Sequence, residues 1–485
     1  MSQPADGERG PLAALAQLAP SRGRVWLVGG AVRDELLGRA TPDYDVAVDG
    51  DVRALARELG RRAGGHAFRL SDAFGAWRVR AHAGDWQVDL TPLLGETLEQ
   101  DLRRRDLTIN AIARELSSGS GEGELIDPCG GVADLEARRL RSAGPESFSA
   151  DPLRVLRLAR MAAELGFTAA RDTLRLASAS ASGLAGVAPE RVFAELRLTL
   201  SAQRAVAGIE LARELGATAV VLPELDALRG VRQSDYHHLD VYEHTLATLQ
   251  AAIDLLGDLA ATFGELAPAL AAVLDEPLAN DLSRGQALRL GALLHDIAKP
   301  LTFELSPEGR PTFFAHDLRG AELAARILTR LRASERLTTH VAALTRNHLR
   351  LGFLVHEQPL AARTIYHYLA ACEPAEVDVT VLSVADRLAT RGRNAERAVT
   401  AHLELARKLL ADALAWRAQR PRPPVAGDEL ARALGIEPGP RLGRLLAELT
   451  AAAYAGEIEG DAALLAHARD WLAHDAAGAA PEGER

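Results

Sequence analysis

The sequence predicts an α+β N-terminal head, in which a small mixed sheet combines with helices, followed by an all-α remainder, so that the chain is mostly helical overall. Two observations predict this fold class. Short β-like runs concentrate between about residues 22 and 140, where RVWLVGG, YDVAV, WRVRA and WQVDL accompany the helix-like run DVRALARELGRRAG. From Asp151 onward nearly every segment has helical periodicity, with breaks at SPEGRP and at the proline cluster QRPRPPVAGDE.

The length of 485 residues predicts two to four domains, because one hydrophobic core rarely extends over so long a chain. Composition breaks divide the chain into five predicted segments. They are a disordered or short helical leader at 1–21, the head at 22–145, a helical neck at 146–232, a further helical domain at 233–415 and a helical tail at 416–485.

Composition narrows the class of protein. The net charge of −10 disfavours a wholly basic nucleic-acid binder but leaves local basic patches in DLRRRD and DPLRVLRLARM. Cys129 and Cys372 are far apart in sequence, which disfavours a disulfide framework and a cysteine metal site. The sequence shows neither a signal-peptide pattern nor an apolar run of membrane-spanning length, so it predicts a cytoplasmic protein with no membrane partner.

The first element of the head carries a pair of carboxylates in LVGGAVRDELLGRATPDYDVAV. Side chains alternate along a strand, so Asp43 and Asp45 face one side, roughly 6 to 7 Å apart, and Tyr44 faces the other. Two metal ions in a phosphoryl-transfer site lie about 3.5 to 4 Å apart, and carboxylates at this spacing can hold such a pair. Asp89 in WQVDL is a candidate third carboxylate or an ordinary strand-end aspartate.

The glycine pair before these carboxylates suits a phosphate group. Gly29 and Gly30 end the first strand, and without Cβ atoms they let a triphosphate approach the backbone. A helix beginning near Ala31 would direct its N-terminus at the anion, and the guanidinium of Arg33 can meet phosphate oxygens. A plain glycine turn followed by solvated aspartates is the alternative interpretation, and the combination of residues favours the site.

Two later segments place charged residues in regular patterns. In DLRRRD, Asp106 can accept a hydrogen bond from a ribose 2′-hydroxyl, although the arginines beside it also fit a solvated basic turn. In DPLRVLRLARM, Arg154, Arg157 and Arg160 recur every three residues, which keeps them near one face of a helix. Asp151 followed by proline is also a common helix start, and capping and base reading are compatible.

The predicted domain at 233–415 concentrates histidines and aspartates that can bind a metal ion. GALLHDIAKP has an adjacent His-Asp pair, and further members of the set lie in YEHTL, FFAHDL, RNHLR and SVADRLA. Imidazole and carboxylate ligands suit transition metals and hydrated hard cations. A single helical histidine is usually a structural residue, but this concentration favours metal binding.

The head and neck segments resemble the class II tRNA CCA-adding enzymes and bacterial poly(A) polymerases, nucleotidyltransferases of the polymerase β superfamily. LVGGAVRDELLGRATPDYDVAV resembles their signature, and DLRRRDLTINAIA resembles their ribose-reading motif. LIDPCGGVADLEARRLR resembles the connection leaving the catalytic domain, and DPLRVLRLARMAAELGF resembles the nucleobase-reading neck helix. PERVFAEL, with Glu190 and Arg191, resembles the supporting helix. Five motifs in order cover residues about 24 to 230.

The resemblance implies a role for each matching residue. Asp43 and Asp45 would be the catalytic residues and the Mg²⁺ ligands. The implied nucleotide-binding residues are Gly29, Gly30, Arg33, Arg105, Asp106, Asn110, Asp151, Arg154, Arg157 and Arg160.

The histidine-rich segment resembles the HD phosphohydrolase superfamily, which implies an HD domain at 233–415. Its metal-ligand positions match His244, His295, Asp296 and Asp386, and the implied ion is a divalent transition metal or Mg²⁺. Candidates for a second metal or for a phosphate contact are His316, His340 and His348. The tail resembles a C-terminal helical segment of several members and suits packing or contact with RNA.

The leading functional hypothesis is a tRNA 3′-end nucleotidyltransferase that adds C and A from CTP and ATP without a nucleic-acid template. Its implied partners are a tRNA or another RNA 3′ end and the two nucleotides, and the sequence leaves the oligomeric state open. One alternative is a poly(A) polymerase or a specialised CC-adding or A-adding enzyme. Another is an HD phosphohydrolase acting on cyclic phosphates or RNA-end phosphoesters, and a non-catalytic RNA-binding protein comes last. The intact Asp-x-Asp pair argues against these last two.

The sequence departs from the family pattern in three places. Ala150 stands where the nucleobase-reading motif usually has glutamate, and Leu107 replaces a commoner phenylalanine. The segment DLTPLLGETLEQDL is short, whereas some members carry a longer flexible loop there that is associated with switching from C to A addition. The short segment therefore keeps a CC-adding or A-adding enzyme among the alternatives.

Overall fold

A computed structural model describes residues 10–71, 75–116, 123–233, 239–390 and 395–478. The chain divides into two compact units, Met1–Val221 and Leu222–Arg485.

The first unit contains a seven-stranded mixed sheet. In chain order its strands are β1 (Gly23–Val28), β2 (Asp43–Gly50), β3 (Gly65–Ser71), β4 (Ala76–Ala81), β5 (Gln87–Pro92), β6 (Ala113–Glu115) and β7 (Leu125–Ile126). The spatial order is β3-β4-β5-β2-β1-β6-β7. The β2–β5 pair is parallel and the other neighbouring pairs are antiparallel.

The central strand β2 explains where the acidic pair lies. Val46, Ala47 and Val48 are buried in the middle of the strand, and Asp43 and Asp45 are exposed at its beginning. The apolar middle of β2 therefore anchors the strand in the core. Its N-terminal residues, which carry the two carboxylates, lie at the end of the strand and are accessible.

Eleven α-helices complete the described part of the first unit. They are α1 (Pro11–Arg22), α2 (Gly30–Leu36), α3 (Val52–Ala63), α4 (Leu98–Arg103), α5 (Gly131–Glu136), α6 (Ser147–Ala150), α7 (Arg154–Leu165), α8 (Arg171–Ser180), α9 (Pro189–Ser201), α10 (Ala205–Glu214) and α11 (Ala217–Val221). The predicted leader begins with residues 1–9, outside the described residues, and α1 buries Leu15 and Leu18.

Helix α7 is amphipathic in the manner that its sequence predicts. It buries Val155, Leu156 and Leu158, with Arg154 partly exposed on another face. Gly166 ends it with φ of 68°, a left-handed conformation that glycine adopts without strain. A two-stranded pairing of β8 (Arg139–Leu140) with β9 (Thr168–Ala169) lies beside it in sequence.

The second unit is helical. Its helices are α12 (Pro223–Asp226), α13 (Val241–Gly257), α14 (Leu259–Phe263), α15 (Ala267–Leu274), α16 (Arg284–Leu294), α17 (His316–Arg330), α18 (Glu335–Asn347), α19 (Arg350–Leu354), α20 (Ala362–Cys372), α21 (Glu376–Ala389), α22 (Ala395–Ala418), α23 (Gly427–Leu434), α24 (Pro440–Tyr454) and α25 (Gly460–Gly478). Every residue of α16 except Gln286 is buried, and a capping box of Ser283 and Gln286 satisfies backbone N–H groups at its beginning.

Two short hairpins interrupt the helices of the second unit. They are β10 (Pro277–Ala279) with β11 (Leu282–Ser283), and β12 (Phe303–Leu305) with β13 (Pro311–Phe313). The second hairpin turns at SPEGRP, one of the breaks expected from the sequence.

The C-terminal helices α23, α24 and α25 share a small apolar core that includes Leu430, Leu445 and Leu449.

Within the described ranges, no single helix has both the length and the apolar character to cross a membrane. One pair of helices bent by 90°, Val241–Gly257 with Leu259–Leu274, meets the criterion for a membrane span by length and composition alone. The mixed sheet followed by helices confirms the predicted fold class.

Candidate functional site

The glycine turn and the acidic pair of the first unit meet where β1 ends and β2 begins. Gly29 has φ of 74°, and its N–H donates to the carbonyl of Ile112. A Cβ at Gly29 would lie 2.9 Å from Nη1 of Arg105 and 3.2 Å from Oδ2 of Asp45. Both the backbone conformation and the close approach of Asp45 and Arg105 therefore require glycine.

The electrostatics of this edge favour a cation. The surrounding protein raises the pKa of Asp45 through desolvation, although the residue keeps an accessible face. Arg105 opposes this shift, and the neighbouring carboxylates Asp89 and Asp43 add to it. Carboxylates that repel one another in a partly desolvated recess are a donor set that a divalent cation would stabilise, so the pair fits such an ion.

Asp89 lies beside the pair but is already bound. In the parallel register of β2 and β5, Asp45 lies opposite Asp89. Both carboxylate oxygens of Asp89 accept hydrogen bonds from Arg78 on β4, at 2.6 and 2.7 Å. The structure therefore places the candidate third carboxylate beside Asp45, with its charge balanced by an arginine.

Arg33 on α2 is held by three neighbours. Its Nε and Nη2 donate to Asp34, at 3.0 and 2.8 Å, and its Nη1 donates to Oδ1 of Asn110 at 2.8 Å. The sulfur of Met161 lies 3.4 Å from the same Nη1. Asp34 thus occupies the fork that would bind a phosphate oxygen pair.

Asn110 connects Arg33 to Asp106. The Nδ2 of Asn110 donates to Oδ1 of Asp106 at 3.1 Å, and the Leu107 N–H donates to the same oxygen at 2.7 Å. The Nη1 of Arg157 lies 3.4 Å from the other oxygen. Burial alone would raise the pKa of Asp106, but the charge of Arg157 and these hydrogen bonds outweigh it and hold the pKa below its usual value.

Glu195 on α9 joins two arginines of the neck helix and was missed by the sequence reasoning. Its carboxylate accepts from Nε of Arg157 at 3.1 Å and from Nε of Arg160 at 2.7 Å. Glu195 is buried, and Arg160 also donates to Glu164. The sequence feature that could have identified Glu195 is its position in PERVFAEL, in the turn of the supporting helix that follows Glu190.

The predicted base-reading pair is bound within the first unit. The Oδ1 of Asp151 accepts from the Leu153 N–H at 3.2 Å, and its Oδ2 accepts from Arg191 at 2.8 Å. Helix α7 begins at Arg154, whose Nη1 donates to the carbonyls of Arg104 and Ser147 at 2.9 and 3.0 Å. The expected N-cap position of Asp151 is therefore wrong, because the N-cap of α7 is Leu153. One oxygen of Asp151 instead binds the N–H of that N-cap residue, and the other oxygen is bound by Arg191.

The second unit brings together six of the predicted ligands as two groups. The ligand atoms within each group lie within 4.8 Å of one another. The groups are His244 with His295 and Asp386, and Asp296 with His316 and His348.

The tautomers in these groups suit metal coordination. The Nδ1 atoms of His295, His316 and His348 lie 2.8, 2.7 and 2.7 Å from the carbonyls of Ala292, Phe313 and Thr345. Such a contact places the proton on Nδ1 and leaves the Nε2 lone pair for a metal. Burial, followed by the charge of His295, lowers the pKa of His348 to about 4, which keeps that ring neutral.

Buried acceptor atoms give a further indication that the groups hold a cation. Neither carboxylate oxygen of Asp296 has a partner of hydrogen-bond geometry among the described residues. Lys299 Nζ lies 2.7 Å from Oδ2 of Asp296 as an ion pair, and His316 Nε2 lies 3.4 Å from Oδ1. A buried carboxylate with poorly directed partners fits a metal ion.

His340 lies outside both groups. Its Nε2 is 3.3 Å from Oδ1 of Asp378, and Asp378 also pairs with Arg284. The structure therefore brings His316 and His348 to the candidate metal centre and places His340 in a separate buried group with Asp378 and Arg284.

Fold and sites together define a class of protein. A mixed sheet that presents two carboxylates beside a glycine turn and arginines is the architecture of a nucleotidyltransferase, and the histidine and aspartate groups on buried helices are those of an HD domain. Family models agree over most of the chain. They match as "Poly A polymerase head domain" at residues 25–141, "Probable RNA and SrmB- binding site of polymerase A" at 166–229 and "HD domain" at 241–391.

The chain belongs to the family of tRNA nucleotidyltransferases. It is 38% identical over 438 residues to the A-adding tRNA nucleotidyltransferase of Deinococcus radiodurans, covering 89% of this chain and 92% of that protein. It is 36% identical over 437 residues to the CC-adding tRNA nucleotidyltransferase of Thermus thermophilus, covering 89% and 90%. A solved CCA-adding enzyme in complex with ATP shares the fold, with a TM-score of 0.63 at 20% identity over 94% of each chain. The predicted family and enzyme class are confirmed.

Proposed function

We propose that this protein adds C and A to the 3′ end of tRNA from CTP and ATP, without a nucleic-acid template. The observation that carries the proposal is the exposed pair of Asp43 and Asp45 beside Gly29. Relatives named as A-adding and CC-adding tRNA nucleotidyltransferases support the RNA substrate.

Asp43 and Asp45 would hold two Mg²⁺ ions at the beginning of β2. When bound, the ions would neutralise charge on the triphosphate and favour ionisation of the attacking hydroxyl. In the reaction, the 3′-hydroxyl oxygen of the RNA bonds to the α-phosphorus and loses its proton, and the bond from the α-phosphorus to the bridging oxygen breaks. Pyrophosphate then leaves toward the backbone of Gly29 and Gly30.

Arg33 would contact the departing phosphates by exchanging partners. Asp34 satisfies its fork in the structure, and Asn110 binds its third nitrogen. A triphosphate oxygen pair offers the same bidentate geometry with more negative charge. Asn110 also donates to Asp106, so a shift of Arg33 is transmitted to the carboxylate proposed to accept from the ribose hydroxyl.

Base choice without a template would rest on Asp151 and Arg154. Cytosine and adenine both present an exocyclic amine beside an unprotonated ring nitrogen. A carboxylate accepts from the amine, and an arginine donates to the ring nitrogen. Uracil and guanine place a carbonyl oxygen and an N–H there, which makes both contacts repulsive. The Oδ2 of Asp151 becomes available to a base when its hydrogen bond with Arg191 breaks.

Three tRNA acceptors test the proposal. Transcripts that end before CCA, after C and after CC are incubated with CTP, with ATP or with both, and the products are sized on a gel. We expect all three acceptors to reach the full CCA length with both nucleotides. Absence of CMP incorporation on every acceptor would overturn the proposal.

A specialised CC-adding or A-adding enzyme is a second candidate because of the connection between β5 and α4. The strand ends at Pro92 and the helix begins at Leu98, which leaves a short connection there. Products that stop after CC would identify a CC-adding enzyme, and extension of the CC acceptor alone would identify an A-adding enzyme. ATP-dependent tails of many residues would identify a poly(A) polymerase.

The second unit supports a second activity, metal-dependent hydrolysis of phosphoesters. The two ligand groups with their Nδ1 contacts carry this candidate. A divalent transition metal or Mg²⁺ would polarise the ester. In the hydrolysis, water oxygen bonds to phosphorus, the ester P–O bond breaks, and the departing oxygen takes up a proton. Release of product from 2′,3′-cyclic AMP with Mg²⁺, Mn²⁺, Co²⁺ or Ni²⁺ tests it, and no turnover with any ion would reject it.

A further inference from the structure

A cavity of about 1130 Å³ in the second unit opens over the Asp296 group. Asp296, His316 and His348 line it, together with Asp386 of the other group. This volume exceeds the space that one phosphate needs and lies above the usual range of small-molecule pockets, about 300 to 1,000 Å³. The other lining residues therefore indicate which chemical groups a ligand could carry besides a phosphate.

Arg387 is the first informative residue of this lining. It follows Asp386 on α21, and its Nε is buried with no hydrogen-bond partner among the described residues. No ion pair joins Arg387 to a carboxylate within those same ranges. An arginine with a buried and unsatisfied nitrogen beside a cavity is costly unless an anion binds there.

His402 on α22 does not compete for that anion as a second charge. It lines the same cavity, and its Nε2 lies 3.2 Å from the hydroxyl of Ser383. Burial, with a contribution from the charge of Arg387, lowers the pKa of His402 to about 4. His402 is therefore neutral at ordinary pH, and Arg387 supplies positive charge to the cavity, with exposed Arg397 as a second lining cation.

The lining also contains exposed aromatic residues. Phe314 is 89% exposed and Phe353 is 67% exposed, and both line the cavity. Ala315 has φ of 57°, an unfavourable conformation for a residue with a Cβ, and it lies in the turn that presents Phe314 just before α17. A strained turn that holds an aromatic ring in solvent suggests a function in binding flat apolar groups.

We propose that this cavity binds a nucleotide, with its phosphate contacted by Arg387 next to the ligand groups and its base packed against Phe314 and Phe353. This subsite rests on the proposed phosphoester hydrolysis for its chemistry, since the phosphate would then lie beside Asp296 and His348. A base-free phosphate would use Arg387 without the phenylalanines, and a nucleoside would use the phenylalanines without Arg387.

Three probes separate the two halves of the subsite. Inorganic phosphate, adenosine and adenosine 3′-monophosphate are titrated by calorimetry into the full chain and its variants. The nucleotidyltransferase site is common to all of these proteins, so differences between them report the second unit. Arg387→Gln should lower the affinity for adenosine 3′-monophosphate and for inorganic phosphate roughly tenfold or more, because a charge-assisted contact is lost. Arg387→Lys should recover part of that loss.

Phe314→Ala should lower the affinity for adenosine and for adenosine 3′-monophosphate by about fivefold or more, as expected for loss of base stacking. The affinity for inorganic phosphate should stay unchanged. Phe314 is so exposed that this variant should fold as the wild type does. Matched controls are Arg432→Gln at an exposed position of α23 and Leu305→Ala at an exposed position of β12, both outside the cavity lining. Controls should bind all probes as the wild type does.

The subsite and the hydrolytic activity fail in different ways. Unchanged affinity for adenosine 3′-monophosphate in both Arg387→Gln and Phe314→Ala overturns the subsite, whatever the rate of hydrolysis. If the wild type hydrolyses no cyclic nucleotide with any metal but both variants lose affinity, the subsite stands and the phosphohydrolase proposal falls. Loss of inorganic phosphate binding in Phe314→Ala would contradict the division of the subsite into two halves.

Discussion

At the scale of single residues, Asp43 and Asp45 present exposed carboxylates at the beginning of β2. Replacing either by alanine removes a ligand from the place where negative charge develops in the reaction. We expect Asp43→Ala or Asp45→Ala to reduce nucleotide addition by at least about a thousandfold, with tRNA binding and the melting temperature nearly unchanged. Asp49→Ala, exposed near the other end of the same strand, is the control. Addition rates within tenfold of the wild type would contradict the metal assignment.

Asp151 carries a second residue-scale prediction, since its two oxygens have separable tasks. The Leu153 N–H binds one oxygen and Arg191 binds the other. If the carboxylate reads the base, Asp151→Ala should lower kcat/KM for CTP and ATP and raise the relative use of UTP or GTP. A bidentate base contact discriminates by about 1 to 3 kcal/mol, so ratios should shift roughly five-fold to a hundredfold.

The matching alternative for Asp151 is a purely structural support of the helix start. Loss of the hydrogen bond from the Leu153 N–H, which is comparable to loss of a helix cap, costs about 1 kcal/mol of stability and leaves nucleotide preference unchanged. Measuring kcat/KM for all four nucleotides beside the melting temperature distinguishes the two. A lower melting temperature with an unaltered preference would leave the support role alone.

At the scale of elements, α7 and α9 are joined by buried charge. Glu195 binds Arg157 and Arg160, and Arg157 in turn faces Asp106. Removing one member of a buried ion-pair network leaves the others uncompensated and costs about 3 to 5 kcal/mol, less where a hydrogen-bond acceptor remains. Glu195→Gln should therefore reduce the free energy of unfolding by about 2 kcal/mol or more.

The same variant should also weaken discrimination between ATP and dATP, because Arg157 would no longer be fixed against Asp106. Urea unfolding and the ratio of kcat/KM for the two nucleotides measure both effects. Asp172→Asn on the exposed face of α8 is the control. A stability loss with unchanged discrimination would show that Glu195 supports the neck without positioning the ribose contact.

The elements themselves were largely predictable, and their ion pairs were not. Alternation in YDVAV predicts β2, and the three-residue spacing of arginines predicts the polar face of α7, because both depend on local periodicity. The hairpin of β12 and β13 shows in sequence only as the break SPEGRP. Asp34 and Glu195 look like ordinary helical acids in sequence, and their binding to Arg33 and to the neck arginines depends on which helices pack together.

At the scale of the whole molecule, the proposed chemistries use residues of different compact units. The carboxylates of β2 belong to Met1–Val221, and the two ligand groups belong to Leu222–Arg485. Separate ligand sets predict separate losses of activity. His295→Ala or Asp296→Ala should abolish metal-dependent hydrolysis of 2′,3′-cyclic AMP, because each removes a buried ligand that no neighbour replaces. Nucleotide addition to tRNA should remain within about twofold of the wild type, because Asp43 and Asp45 are unchanged.

The reciprocal variant completes this test. Asp45→Ala should abolish nucleotide addition and leave the hydrolysis and its metal requirement as in the wild type. Each variant is first compared with the wild type by melting temperature, since His295 and Asp296 are fully buried and their loss affects packing. Chelation followed by return of single ions then shows whether one metal serves both reactions. Loss of both activities in a variant that still melts as the wild type does would mean that the two units are catalytically coupled, because neither variant removes a ligand from the other site.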